Sequence, residues 1–258
     1  MAVIRFGPGG LGPADEAIEN LREYYRLGLR ACEVEFTYRI YLDKNQAVEI
    51  GRIAKELNII LSIHAPYYVN LNSSEPEKVE ASKQRILKCC EIGHYLGARK
   101  IVFHPGFVGK FTWEESFQNI KNRVIEMKEE IDKNKWDVEL CPETMGKINV
   151  FGSLEDISRL VNETGCSFCV DFAHILARYN ENKFDEIKKA FPQKNWHCHF
   201  SGIEYGEKGE RKHILTSEED FEKLFDFLRT LDKEIVIINE SPDCVGDSIK
   251  GEQLYSRL

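Results

Sequence analysis

Short apolar runs alternate with longer amphipathic stretches from one end of the chain to the other. The runs fall at residues 3–6, 31–36, 59–64, 100–104, 137–141, 167–172, 196–200 and 234–239, and each has the length and residue types of a buried strand. Between them, segments such as 15–27, 77–96, 112–131, 153–164 and 217–231 repeat apolar residues at helical spacing behind Ser, Thr or Asp start signals. At roughly 30 residues per strand-helix unit, eight such units account for all 258 residues without a linker. An unbroken alternation of this count predicts one α/β domain over residues 1–258, a closed (β/α)8 TIM barrel; a doubly wound open sheet is the alternative.

Composition supports a buried core, with 42% hydrophobic and 30% charged residues, and excludes a disordered chain. No stretch has the roughly 18 apolar residues of a membrane span, and the opening MAVIRFGPGG lacks a basic segment followed by a long apolar one. A cytoplasmic monomer is expected. The balance of 35 basic against 43 acidic residues argues against binding nucleic acid by general surface charge, so such a partner needs local positive charge, as from metal ions. The eight cysteines read as free thiols in a chain of this length. Cys166 and Cys169 lack a second CxxC, and three-residue spacing on a strand sends their side chains to opposite faces.

The chemistry lies at the strand ends, because the carboxyl ends of barrel strands carry the active site. His64 closes LSIH, His104 closes IVFH, Glu143 follows VELCP, Asp171 closes FCVD, His199 closes WHCH and Glu240 follows IVIIN. A lone histidine in such a place is usually a satisfied core or loop residue, but six strand ends in succession, the third to the eighth, each presenting a metal-competent group make coincidence a poor account. Imidazole mixed with carboxylate suits Zn, Mn or Fe better than Ca or an iron–sulfur centre. His174, three residues after Asp171, and His213, in GEKGERKH, reach toward the same rim. His94 belongs to an outer helix, and His197 shares the strand face of His199 one layer deeper.

The motifs SIHAPYYVNL, VFHPG, PETMGK, CVDFAHILARY, HCHFSG and INESP, in this order and spacing, resemble the endonuclease IV family of metal-dependent apurinic/apyrimidinic endonucleases over about residues 60–245. The resemblance implies a xylose isomerase-like barrel holding up to three zinc ions. His64, His104 and Glu143 resemble the ligands of one ion; Glu143 bridges to a second, held by Asp171, His199 and Glu240; and His174 and His213 resemble ligands of a third. It implies hydrolysis of DNA at abasic sites by an activated water, with Glu143 as the catalytic bridge and Tyr67 lying against the opened DNA. A sugar or sugar-phosphate isomerase or epimerase is the alternative, since related barrels use a Glu, Asp, His and Glu metal set.

Three departures from the family pattern stand out. The first strand reads VIRFGPGGLG in place of a His-Val-Ser signature. The loop after the second strand reads FTYRIYLD, where Arg39, with Tyr38 and Tyr41, is the candidate for substrate contact. At the third-ion motif, the position expected to hold Asp is Arg211, which cannot ligate a cation. Either Glu210 takes the place of the missing carboxylate after a shift of the loop, or Arg211 itself supplies positive charge beside a phosphate.

Overall fold

The computed structural model describes residues 2–258. In chain order its strands are β1 (Val3–Pro8), β2 (Ala31–Glu35), β3 (Ile60–His64), β4 (Lys100–Phe103), β5 (Gly106–Phe107), β6 (Glu139–Pro142), β7 (Val150–Phe151), β8 (Cys169–Asp171), β9 (Asn195–Phe200), β10 (Gly202–Gly206), β11 (Gly209–Ile214) and β12 (Glu234–Asn239). The helices between them are α1 (Ala17–Arg26), α2 (Lys44–Glu56), α3 (Pro76–Leu96), α4 (Trp113–Asn134), α5 (Leu154–Thr164), α6 (Phe172–Tyr179), α7 (Phe184–Ala190), α8 (Glu218–Leu228) and α9 (Cys244–Tyr255).

Eight of the strands run parallel in two four-stranded sheets, ordered β1-β12-β9-β8 and β2-β3-β4-β6. Parallel bridges at Gly9–Glu33 and Glu143–Cys169 join the sheets to each other at both edges and complete the ring. Each seam is thin. Gly10 N–H donates to the Glu33 carbonyl at 2.9 Å and Arg30 N–H to that of Phe6 at 3.1 Å, while across the other seam Thr144 donates to Cys169 at 3.0 Å and Ser167 to Leu140 at 2.9 Å. The antiparallel pairs β5–β7 and β10–β11 are built from the loops at the carboxyl ends of the strands.

The helices form where the sequence supplies both an apolar stripe and a start signal. In α5, Leu154, Ile157, Leu160 and Val161 are buried, and the Ser153 hydroxyl accepts the backbone N–H of Asp156 while Asp156 returns the bond in a capping box. Thr112 with Glu115 starts α4 in the same way, and Asp43 with Gln46 starts α2. Gly97, at φ 74°, ends α3 in the left-handed conformation that glycine adopts without strain. The main core lies between the ring and these helices, with Phe168 stacked on Phe191 at 4.2 Å and Phe6 edge-on to Phe225 at 5.9 Å.

The inside of the ring differs. A small group of Val102, Cys141 and Cys169 is its apolar part, and around it Glu33, Ser62 and His197 are buried polar residues. Branched aliphatic side chains usually fill such a barrel in layers. Here a polar layer underlies the carboxyl-end rim. Cys169 is in this interior group while Cys166 packs in the outer core, in keeping with opposite faces, and all eight cysteines are free. No helix among the described residues is long and apolar enough to cross a membrane.

The β1–β2 seam depends on a missing side chain: a Cβ on Gly7 would overlap the Ala31 carbonyl, which is backbone and has no rotamer to give. Gly7→Ala is expected to destabilise the fold by about 3 kcal/mol or more, read as a fall in the denaturation midpoint. An unchanged midpoint would mean that the seam opens freely.

Candidate metal centre

Parallel register brings the strand ends to one rim. His64 pairs with Glu35 across β2–β3, and Asp171 pairs with His199 across β8–β9. His104, Glu143 and Glu240 each follow the last residue of a strand by one position. At the middle lies Glu143, 1% exposed, with its two oxygens facing different partners. Oε2 is 3.2 Å from Nε2 of both His64 and His104. Oε1 is 3.0 Å from His174 Nδ1 and 3.6 Å from His199 Nδ1.

Asp171 shows how local structure frees a ligand atom. It ends β8 and caps α6, so Oδ1 accepts the His174 N–H at 2.8 Å, while Oδ2 faces the site, buried and without a hydrogen-bond partner. His174 Nδ1 is 3.0 Å from the Thr144 carbonyl, which orients the ring, and His213 Nδ1 is 2.7 Å from Ser201 Oγ.

The structure brings five overlapping groups together, each with candidate ligand atoms within 4.8 Å of one another: His64, His104 and Glu143; Glu143, Asp171, His199 and Glu240; Asp171, His174 and His213; Glu33, Glu35 and Glu240; and Cys169, His197 and His199. Glu143 Oε1, Asp171 Oδ2 and both ring nitrogens of His199 are buried and have no hydrogen-bond partner. Lone pairs so placed, from imidazole and carboxylate together, fit first-row divalent cations. Burial would push the Glu143 carboxyl up, but the surrounding imidazoles, His104 foremost, hold it well below the usual range. Burial also works against a charge on His64, yet Glu35 and Glu143 raise its imidazole to about 10.

The hairpin β10–β11 decides the fate of the GERKH departure. Its register slips between Glu204 and Tyr205: Glu204 pairs with Lys212 and Tyr205 with Glu210, which leaves Arg211 as the extra residue of a β-bulge. Glu210 Oε2 thereby comes within 3.4 Å of His174 Nε2. Arg211 is turned outward, its guanidinium packed over Gly206 and 3.8 Å from Glu204. Arg211 is thus exposed and is not among the residues that line the cavity over the rim, whereas Glu210 is.

A cavity of about 420 Å³ opens over the rim, lined among others by Tyr67, His104, His174, Glu210, His213 and Glu240. Tyr67 stacks on the His104 ring, centroids 5.6 Å apart, and meets His64 edge-on at 5.5 Å. Arg39 lies exposed outside this cavity, but its loop is tied to that of Tyr67 by the Tyr68 hydroxyl, which donates to the Tyr38 carbonyl at 2.8 Å. A larger cavity, about 790 Å³, occupies the opposite mouth of the barrel, where no such group of ligands converges among the described residues. His94, an outer-helix residue, lies on its wall and accepts the Asp137 N–H at 3.1 Å.

Two residues of the second strand complete the rim. In CEVEF, Glu33 and Glu35 alternate with apolar residues and so share the inner face of β2. Both oxygens of Glu35 are buried without a hydrogen-bond partner, and burial raises its carboxyl to about 8. Glu33 is fully buried against His197 and His199, which places His197 beneath the rim as its spacing implied. The signal for both was period-two acidity inside an apolar run, one strand before the first of the strand-end ligands.

Residues 21–255 match the family model described as "Xylose isomerase-like TIM barrel". An uncharacterised protein of Methanocaldococcus jannaschii is 33% identical over 99% of this chain and 98% of its own, and the "Probable endonuclease 4" of Mycoplasmopsis agalactiae is 28% identical over 90% and 87%. Among solved structures, endonuclease IV from Thermus thermophilus superposes with a TM-score of 0.74 at 20% identity, covering 98% of this chain and 99% of that one. An L-ribulose 3-epimerase superposes with 0.76 at 14% identity, covering 99% and 94%. At those identities the superpositions establish the fold alone. With its closed parallel ring, its ligand-rich rim and a family match over nearly its whole length, this chain belongs to the xylose isomerase-like TIM barrel family.

Proposed function

We propose that the rim is the active site of a metal-dependent phosphodiester hydrolase that incises DNA beside abasic sites. The observation that carries this reading is the division of Glu143, one oxygen toward His64 and His104 and the other toward His174 and His199. A carboxylate so divided suits two cations held side by side. His64, His104 and Glu143 would hold one; Glu143, Asp171, His199 and Glu240 a second; and His174 and His213, with Asp171 or Glu210, a third. Zinc is the first choice, with manganese or iron as alternatives. Such ions supply Lewis acidity toward a phosphoryl oxygen and lower the pKa of a water.

The chain's own residues supply placement. The Thr144 carbonyl and the Ser201 hydroxyl fix the rings of His174 and His213. Tyr67, 48% exposed over His104, offers an aromatic face to an unstacked sugar or base, and the linked loop carrying Arg39 offers a cation to the backbone. The related "Probable endonuclease 4" sequences support this choice of substrate. A second reading, epimerisation of a sugar, draws on the group Glu143, Asp171, His199 and Glu240, which can hold one ion without His64 and His104, and on the epimerase among the structural neighbours.

Three outcomes are expected. Protein purified without chelator carries at least about two equivalents of zinc or a similar metal by elemental analysis, and stripping the metal lowers the melting midpoint by about 5 °C or more; less than one equivalent would remove the metal reading. A duplex with one abasic site is nicked in a chelator-sensitive way, and Glu143→Gln slows this about a thousand-fold, near 4 kcal/mol, with the fold retained. If the duplex stays intact while a ketose is epimerised, the second reading replaces the first. The pair Tyr67→Ala and Arg39→Ala weakens duplex binding with metal content unchanged; undiminished affinity would place DNA contact elsewhere.

A further inference from the structure

The fully buried carboxylate of Glu33 lies outside the three ligand groups that cluster around Glu143, Asp171 and His174; the one further group it joins is all acid, with Glu35 and Glu240 and no imidazole. It projects from β2 into the barrel, where the ring order places β9 three strands away, and it meets two histidines of that strand. Oε2 is hydrogen-bonded to His197 Nε2 at 2.8 Å, and Oε1 lies 2.7 Å from His199 Nε2. The opposite edge of the His199 ring faces the rim, with Nδ1 3.4 Å from Glu240 Oε1 and 3.6 Å from Glu143 Oε1.

These distances divide the His199 ring between two tasks. A neutral imidazole has one lone pair for a cation and one N–H, and the partner of the N–H determines which nitrogen is left for the cation. Nε2 lies 2.7 Å from the Glu33 carboxylate, nearer than Nδ1 lies to the carboxylates of the rim at 3.4 and 3.6 Å, so the proton belongs on Nε2 and the lone pair falls on Nδ1. The His64 ring, stacked at 5.9 Å and 30°, limits rotation of His199. His197 in turn anchors the other oxygen of Glu33.

We propose that Glu33 is a positioning residue of this centre: it fixes the tautomer and the angle of His199, presents Nδ1 to a divalent cation and strengthens that nitrogen as a donor. A carboxylate behind a ligating histidine commonly contributes about 10- to 100-fold in metal affinity. A competing group lies one layer down, where Cys169, His197 and His199 bring candidate ligand atoms within 4.8 Å of one another; with the single lone pair of His199 committed to the rim, that deeper group keeps only one thiol and one imidazole for an ion. The inference rests on the reading of the rim as a metal centre and is independent of whether DNA or a sugar is the substrate.

Cobalt(II) is the probe, titrated into the metal-stripped full-length chain and followed by its visible ligand-field spectrum and by competition with a chelator. Glu33→Ala is expected to weaken one cobalt equivalent about 100-fold and to change its ligand-field bands. Glu33→Gln keeps an acceptor for His199 without the charge, so it is expected to lose only about 10-fold and to keep the wild-type bands. That partial rescue separates positioning from a general loss of structure, which the melting of the metal-free proteins reports independently. Wild-type affinity and spectrum in Glu33→Ala would overturn the proposal, as would a thiolate-to-cobalt charge-transfer band in the wild-type protein, since it would put the ion on Cys169. If Glu33→Ala does not fold, Glu33→Gln decides: affinity equal to wild type counts against the role of the charge. A wild-type chain that takes up no cobalt fails at the earlier step, the metal reading itself.

Discussion

The interior of this barrel is organised around the cost of burying carboxylates. Glu33, Glu143 and Asp171 are all but inaccessible, and the oxygens of Glu35 are buried beside them. A carboxylate in such a place must be matched by positive charge or hydrogen-bond donors, and stranding one costs about 3–5 kcal/mol. Of the seven histidines in the chain, six contribute to that match, and only His94 lies apart on an outer helix. The histidines cannot satisfy every oxygen, and the atoms left over on Glu143 and Asp171 point to one another's neighbourhood. A divalent cation answers several of these demands at once, with two charges and short bonds to oxygen and nitrogen together. The ligand set and the unusual polarity of the barrel interior are thus two aspects of one electrostatic constraint.

Much of this was legible because a parallel barrel converts chain order into spatial order. A residue that closes an apolar run is delivered to the carboxyl-end rim, so His64, His104, Asp171, His199 and their neighbours Glu143 and Glu240 were visible without coordinates. Glu33 and Glu35 escaped because they lie within a run, and their meaning emerges only when the alternation in CEVEF is read as a face. The placement of Glu210 was open for a different reason. Which of Glu210 and Arg211 faces His174 depends on a bulge in β10–β11, and a bulge is a matter of register between strands. The seams of the ring were equally hidden, since they consist of backbone bridges with no signature in residue type.

The candidate ligands separate into a core and two extensions. Glu143, Asp171, His199 and Glu240 form a compact group that one cation can occupy, while His64 and His104 extend it on one side and His174 and His213 on the other. On the proposed reading, the extensions would suit a substrate whose charge is spread over more than one reacting oxygen, as in a phosphodiester. Tyr67 stands over the first extension and Glu210 over the second, so the cavity between them runs the length of the row.

The seams also matter mechanically. One half of the ring, β2-β3-β4-β6, carries Glu33, Glu35, His64 and, just past its strand ends, His104 and Glu143; the other half carries Asp171, His197, His199 and Glu240. The backbone bridges between the halves fall at Glu33 on one side and Glu143 on the other. Each backbone hydrogen bond there contributes about 0.5–1.5 kcal/mol, less than the cost of separating a buried carboxylate from its partner. These same two residues send their carboxylates into the opposite half, Glu33 to His197 and His199, Glu143 to His174 and His199. The rim and the closure of the cylinder therefore hang on the same pair of side chains: two half-shells, neither of which holds the whole set of side chains, are clasped at their edges by Glu143, a candidate ligand, and by Glu33, the acid behind His199.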